Sequence, residues 1–467
     1  MSSIYTLNLT ALLALNTALF YARQTKSHSP TPSPPPADSN VKDSTTTKKS
    51  TSNPPQHASK IHSLLSSPLA PFLSVYTLVM TSDWLQGPYL YPLYTKTHSL
   101  PPSTIPLLFT TGFLSGAISG SFIGSLADTH GRKTACLSFC MIYALSCLLT
   151  TLSSSLPVLF LGRVLGGLGT SLLFTVFESF LVSDFKARGL EGRLGETFGV
   201  MSTLNSLVAI GSGVGSEWMV GVTGTNRSPF WLAAGVLVVA GGVIQVVWKE
   251  NYAQPPEGAE KKTDEKKTEE RSLLGVVMSD PRILALGLST TVFEGSMYLF
   301  VFFWAPALQS SSAAGTSLPY GVIFAAFMAS TLASSLIFGK ITERLPFSSL
   351  LLSLLGVSSL CFFLAASNTS SSQFTFWVFC LFEACVGMYF PTMGYLKGKL
   401  IEDGVRSQVY GFLRIPLNVF VVVALLITGR MEGDKAFVGV FRVCSGLLLL
   451  AAGGFWGLVV RRRGVDV

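Results

Sequence analysis

The chain has 467 residues, 49% hydrophobic and only 12% charged, with a formal net charge of +8 and a mean hydropathy of +0.49. A soluble domain carries roughly 25% charged residues, so charge this sparse excludes an ordinary water-soluble protein. The surplus of lysine and arginine falls in short loops, where it orients membrane helices, and argues against a nucleic-acid partner.

The first apolar segment, about Ile4 to Tyr21, stands apart from the rest. It reads as an anchor helix, a signal sequence or an organellar targeting extension occupying 1–22. A stretch of Ser, Thr, Pro and Lys follows over 23–67, with Pro34-Pro35-Pro36 and Lys48-Lys49 inside it. Such a composition cannot bury a core and predicts a disordered linker.

Twelve further apolar segments follow, near 68–94, 105–127, 133–153, 156–182, 196–222, 229–249, 283–308, 318–341, 348–367, 373–398, 408–428 and 437–460. Runs of about 20 residues cover a ~30 Å hydrocarbon layer at 1.5 Å per residue. Inside lipid the backbone must satisfy its own hydrogen bonds, so these runs are predicted to be helices. A charged stretch over 251–282 divides them into two six-helix halves, 68–250 and 283–461.

Loop charges orient the spans. Arg132 and Lys133; Lys186, Arg188 and Arg193; Lys249 to Arg282; Lys340 and Arg344; Lys397, Lys399 and Arg406; and Arg461, Arg462 and Arg463 follow the even-numbered spans. The opposite loops hold little beyond Lys96, Arg227, Arg430 and Lys435. The basic loops are therefore expected to face the cytoplasm. The sequons Asn226-Arg-Ser228 and Asn368-Thr-Ser370 fall in loops assigned outside. The seven cysteines, with Cys136, Cys140 and Cys147 in one apolar run, match no zinc or disulfide spacing and are expected to pack.

Motifs then narrow the class. Gly124-Ser-Leu-Ala-Asp128-Thr-His-Gly131-Arg132-Lys133 follows the second of the twelve spans. It resembles the major facilitator signature, with Thr129 where that signature has a base. A trace recurs at Gly339-Lys-Ile-Thr-Glu343-Arg344. Gly162-Arg163-Val-Leu-Gly166-Gly167-Leu-Gly169 is similar to the arginine motif in the fourth span of that superfamily. The resemblance implies an all-α integral membrane protein: twelve transmembrane helices in two pseudo-symmetric halves, plus the extra N-terminal helix. Gly116, Gly120 and Gly124 would let helices slide closely.

A narrower likeness lies in Asp83-Trp84-Leu85-Gln86-Gly87-Pro88-Tyr89-Leu90-Tyr91, the Arg163 block, Glu250-Asn251-Tyr252, Tyr389-Phe390-Pro391 and Arg414-Ile-Pro416. These blocks resemble the eukaryotic molybdate-anion transporter family. The resemblance implies uptake of molybdate across the plasma membrane. A monomer without a cofactor is expected, in the plasma membrane or an organellar one. A carrier for another solute (a sugar, a drug or another anion) and a non-transporting receptor or scaffold on this fold stay open. No serine elbow, metal-binding histidine pair or phosphate loop points to an enzyme.

A charged side chain at mid-bilayer costs about 2.5–3.5 kcal/mol on insertion scales. Asp83, Arg163, Glu178, Glu294, Glu383 and Arg414 all fall within apolar segments, so they are expected to face a cavity or one another. An oxyanion needs fixed donors such as guanidinium forks, hydroxyls and amides. Asp83, Gln86, Tyr89, Tyr91, Arg163, Glu294, Tyr389, Arg414 and Asn418 are the candidate substrate residues. Asp83, Glu294 and Glu383 are the candidates for carrying a proton. Gly124, Asp128, Gly131, Arg132, Lys133 and Glu178 are the candidate cytoplasmic gate.

Overall fold

The computed structural model describes residues 2–27, 69–190, 194–252, 280–313, 317–367, 371–401, 406–429 and 435–461. The linker from 28 to 68, the charged stretch over 253–279, the second sequon, Arg193, Arg462 and Arg463 lie outside the described residues. Every described regular element is helical, as apolar runs in lipid require.

Helix α1 (Ser2–Ser27) precedes twelve spans. The first half holds α2 (Ala70–Gln86), the pair α3 (Thr104–Gly120) and α4 (Ile123–His130), α5 (Arg132–Leu152), α6 (Leu156–Ala187), α7 (Leu194–Thr223) and α8 (Ser228–Val247). The second half holds α9 (Pro281–Ser310), α10 (Tyr320–Thr342), α11 (Phe347–Ser367), α12 (Ser372–Leu400), α13 (Arg406–Thr428) and α14 (Lys435–Phe455).

Among the described residues, ten helices are long and apolar enough to cross a membrane, or eleven with α3 and α4 as one bent span. Outside that count are α2, straight for only 17 residues, and α13, whose apolar part is Phe412–Thr428. Pro88 and Pro92 lack the N–H that a regular helix needs. The chain beyond α2 therefore tightens to a 3-10 turn at Gly87–Tyr89 and widens to a π turn at Leu93–Thr97. The second span, expected to be unbroken over 105–127, bends by 53° between α3 and α4. At the bend the Ser121 and Phe122 N–H groups donate to the carbonyls of Ile118 and Ser119, three residues back.

Packing repeats between the halves. Helix α3 lies on α6, α5 on α6 and α8, and α2 on α7 and α8. Correspondingly, α10 lies on α12, α11 on α12 and α14, and α9 on α13 and α14. The halves meet through α7 with α10 and α3 with α13. All seven cysteines are buried free thiols.

The glycines expected to permit close sliding lie where α3 meets α6. Gly116 faces the Gly167 carbonyl across α3 and α6, and a Cβ on Gly167 would stand 2.8 Å from the Gly116 nitrogen. Ser171 donates to the Gly116 carbonyl at 2.6 Å, and Ser115 to that of Val164 at 2.7 Å. Gly120 and Gly124 likewise face Ser171 and Thr175 of α6. Close approach plus hydroxyl bonds fastens these helices within one half.

Helix α1 docks on α10 and α12 through a stripe of buried residues, Tyr5, Leu9, Leu12 and Asn16. That spacing is one helical face. Asn16 donates to the Ala329 carbonyl at 2.9 Å, Asn8 to Gln373 at 3.0 Å, and Tyr5 meets the edge of Phe376. These contacts put the start of α1 beside the starts of α10 and α12, at the end poor in basic residues.

Candidate functional site

Two charged clusters lie midway along the spans, one in each half. In the first half, Tyr143 of α5 donates to the Asp83 carboxylate of α2 at 2.5 Å. A hydrogen bond to a charged group contributes about 1.5–3 kcal/mol, close to the ~2.5–3.5 kcal/mol cost of a mid-bilayer carboxylate. Arg163 of α6 lies within electrostatic reach of Tyr143 and of the Tyr94 hydroxyl. Its guanidinium rests on Gly112, where a Cβ would overlap it. It lies 5.5 Å from the Phe109 ring centre, and its Nε donates to the Leu108 carbonyl at 3.4 Å.

The second cluster surrounds Glu294 of α9. Tyr389 of α12 donates to Glu294 Oε1 at 3.2 Å. Lys397 Nζ, on the same helix, stands 4.0 Å from that oxygen, with side chains only 15% (Lys397) and 13% (Glu294) exposed. Arg414 of α13 lies within electrostatic reach of Glu294, Lys397 and Tyr298. Two cations thus face one carboxylate.

Both clusters flank the seam between the halves. Trp84, next to Asp83, meets Phe324 of α10 at 5.7 Å, and Tyr298, one turn beyond Glu294, meets Phe113 of α3 at 5.3 Å.

The remaining candidates are distributed differently. Tyr89 donates to Glu217 Oε2 of α7 at 2.7 Å, near the end with few basic residues. The same oxygen accepts the backbone N–H of Gly321, in the first turn of α10, at 2.8 Å. A carboxylate suits a helix N-terminus, whose N–H groups are otherwise unpaired. Gly213 and Gly321 touch backbone to backbone beside it, with a Cβ on Gly213 falling 2.7 Å from the Gly321 carbonyl. Tyr91 packs edge-on against Phe302, as does Phe109. Tyr89 and Tyr91 therefore join the closure of that end. Gln86 bonds the Ser82 carbonyl of its own helix, and Asn418 is half-buried on α13. Glu383 is buried between α12 and α10, where Thr331 donates to Oε2 at 3.1 Å.

At the basic end, Arg132 and Asp128 pair at 2.7 Å. Gly131 adopts a φ of 98°, a region costly for any residue with a Cβ. Glu250 enters this turn, accepting Lys133 N–H at 2.7 Å, Thr134 N–H at 3.1 Å and the Thr134 hydroxyl at 2.7 Å. It caps α5. Asn251 adds its carbonyl to Arg132 N–H and its amide to the Phe180 carbonyl. Gly124 stands against α6, where a Cβ on it would lie 3.6 Å from the Thr175 methyl carbon. Lys133 Nζ donates to the Gln245 carbonyl at 3.0 Å. Glu178 lies exposed on α6, within electrostatic reach of Tyr76 rather than hydrogen-bonded into the turn.

Sequence reasoning missed Lys397, Glu217, Tyr143 and the capping role of Glu250. Lys397 reads as a loop charge, yet it sits in the last turn of α12. Helical side chains lean toward the helix N-terminus, so its ammonium points back into the bundle. Its signal was the shared face with Met393 and Tyr389, four and eight residues earlier in the helix. Glu217 carried the plainest signal, a carboxylate inside an apolar run.

Residues 50–375 match the family described as sugar transporters with twelve transmembrane segments. The chain is 31% identical over 418 residues to the molybdate-anion transporter of Takifugu rubripes, covering 82% of this chain and 84% of that one. It is 32% identical over 398 residues to the molybdate-anion transporter of Xenopus tropicalis, covering 81% and 83%. Among solved structures it is similar to an auto-inhibited POT family peptide transporter, with a TM-score of 0.70, 12% identity and coverage of 85% and 98%. It is also similar to a bacterial homolog of the human lysosomal transporter Spinster, inward-facing and occupied, with a TM-score of 0.64, 15% identity and coverage of 89% and 100%. At those identities the structural likeness shows the fold alone.

Proposed function

The chain belongs to the molybdate-anion transporter family of the major facilitator superfamily, and on that premise we propose that it takes up molybdate through the plasma membrane by alternating access. It is a multi-pass membrane transporter. Kinship over four-fifths of the chain with proteins of that name carries the cargo assignment.

The geometry supports an anion carrier. Arg163, Lys397 and Arg414 offer three cations within the spans, and Tyr143, Tyr298 and Tyr389 bring hydroxyls beside them. Tetrahedral oxyanions are held by such fixed charged donors. The contacts at Tyr89, Glu217 and Gly321 close the end away from the basic loops. On the loop-charge orientation, that is a carrier shut to the outside.

Energetics demand coupling. Moving two negative charges inward against ~100 mV costs ~4.6 kcal/mol, a penalty of roughly a thousandfold or more in concentration. Protons moving with the substrate offset it, and Asp83, Glu294 and Glu383 are candidate carboxylates within the spans to carry them.

A sugar carrier is the second reading, favoured by the description of the matching family. Uptake into transport-deficient cells, with molybdate, tungstate, sulfate and a panel of sugars, separates the two. Molybdate accumulation inhibited by tungstate is the expected result. Sugar flux without oxyanion flux overturns the assignment.

A further inference from the structure

We propose that Glu294 is a resident counter-ion whose place at Lys397 and Arg414 the substrate oxyanion takes, Glu294 binding a proton as it yields. This rests on the anion-carrier reading and deepens it at one site.

Lys397 and Glu294 are nearly dry, and an unpaired charge in such surroundings is costly. The 4.0 Å separation between them is at the loose limit of an ion pair, so the carboxylate satisfies Lys397 without gripping it. With exposed Arg414 within electrostatic reach of both, the site has two positive charges against one negative. A dianion entering beside an ionised Glu294 would meet a like charge. Protonating Glu294 removes that charge and leaves two cations for two negative charges, so the loaded site is neutral.

The bookkeeping closes without any other reactant. One proton from water on the open side bonds to a carboxylate oxygen of Glu294, and the ion pair with Lys397 breaks. The oxyanion then takes both cations. After release the proton leaves, and Glu294 returns to Lys397. Tyr389 donates to the carboxylate in the resting state and becomes available to the substrate once Glu294 is neutral.

The groups facing Glu294 are Tyr298 on its own helix, Tyr389 and Lys397 on α12, and Arg414 on α13. On α14, Cys444 faces Ser296 instead. On the chain beyond α2, Tyr91 meets Phe302, two turns further along α9. The second carboxylate at this depth, Asp83, is engaged by Tyr143 in the other half. Glu294 is therefore the carboxylate placed to exchange with substrate.

The test is equilibrium binding to the full chain in lipid nanodiscs between pH 6 and 8.5, with labelled molybdate and, separately, labelled sulfate. Linkage of one proton to binding predicts that wild-type affinity falls up to tenfold per pH unit toward the alkaline end. Glu294→Gln should flatten that slope and bind more tightly than wild type at pH 8.5. Lys397→Gln should weaken binding at least tenfold, and Lys397→Arg should restore most of it. An alkaline fall in affinity that persists in Glu294→Gln overturns the exchange. Loss of binding at every pH in Glu294→Gln, with binding kept in Glu294→Asp, also overturns it by making the carboxylate a direct ligand. A wild-type protein that binds neither oxyanion at any pH overturns the anion-carrier reading itself.

Discussion

Glu217 of α7 accepts the backbone N–H of Gly321 at 2.8 Å, so a carboxylate from one half caps a helix of the other. Tyr89 donates to the same oxygen at 2.7 Å, and the Gly213–Gly321 contact lets the helices come close enough to form the bond. Together these groups make a latch that must open if the transporter is to expose its site to the other side.

Removing the acceptor should loosen that latch. Losing a bond to a charged group costs about 1.5–3 kcal/mol, enough to shift a two-state population roughly tenfold or more. Glu217→Ala should raise labelling of a reporter cysteine at Leu318, buried beside the latch, by an impermeant maleimide applied from that side. The seven native thiols are buried and should give little background. Unchanged labelling would show that closure rests on the aromatic contacts alone.

Arg163 and Arg414 supply one guanidinium to each half. Replacing either with Gln should reduce molybdate uptake at least tenfold at normal surface expression. Wild-type rates in both variants would remove the guanidinium groups from the anion site.

The rim turn should be sensitive in a different way. Gly131→Ala places a Cβ at a φ of 98°, against the Glu250 carboxylate. Left-handed backbone costs roughly 1–2 kcal/mol for a residue with a Cβ, before that overlap is counted. Glu250→Ala removes the cap of α5, at about 0.5–2 kcal/mol. Both should lower thermal stability in detergent, with Gly131→Ala the worse. A Gly131→Ala protein as stable as wild type would mean that the turn relaxes.

His98 links the loop beyond α2 to the end of α5. Nε2 lies 2.8 Å from the Thr150 carbonyl and must donate to it, while Nδ1 lies 2.8 Å from the Ser154 hydroxyl. Burial, and to a lesser extent the Arg227 guanidinium, holds this imidazole below its ordinary value. A depressed histidine leaves stability complete above the unfolded value of about 6.5 and loses it as the pH falls through that value. Thermal stability should therefore drop between pH 7 and pH 5, and His98→Gln should flatten the drop. An identical slope in the variant would assign the loss to other groups.

Much of this protein was legible in its residues alone. Long apolar runs, the charged break over 251–282 and the alternation of basic loops determine spans, halves and a common orientation, because lipid leaves a chain few ways to satisfy its backbone. Asp83, Arg163, Glu294 and Arg414 stood out because ionisable groups are expensive in an apolar run. Which of them meet is a matter of tertiary structure. Asp83 and Tyr143 are 60 residues apart, and Glu294 and Tyr389 are 95 apart, distances that only helix packing closes. Tertiary structure alone turned Lys397 inward, gave Tyr89 to the latch and Glu383 to a helix contact, and made α1 a docked helix. The physical reason is that membrane insertion depends on each segment's own composition, whereas a side chain's partner depends on how its helix is rotated against neighbours encoded far along the chain.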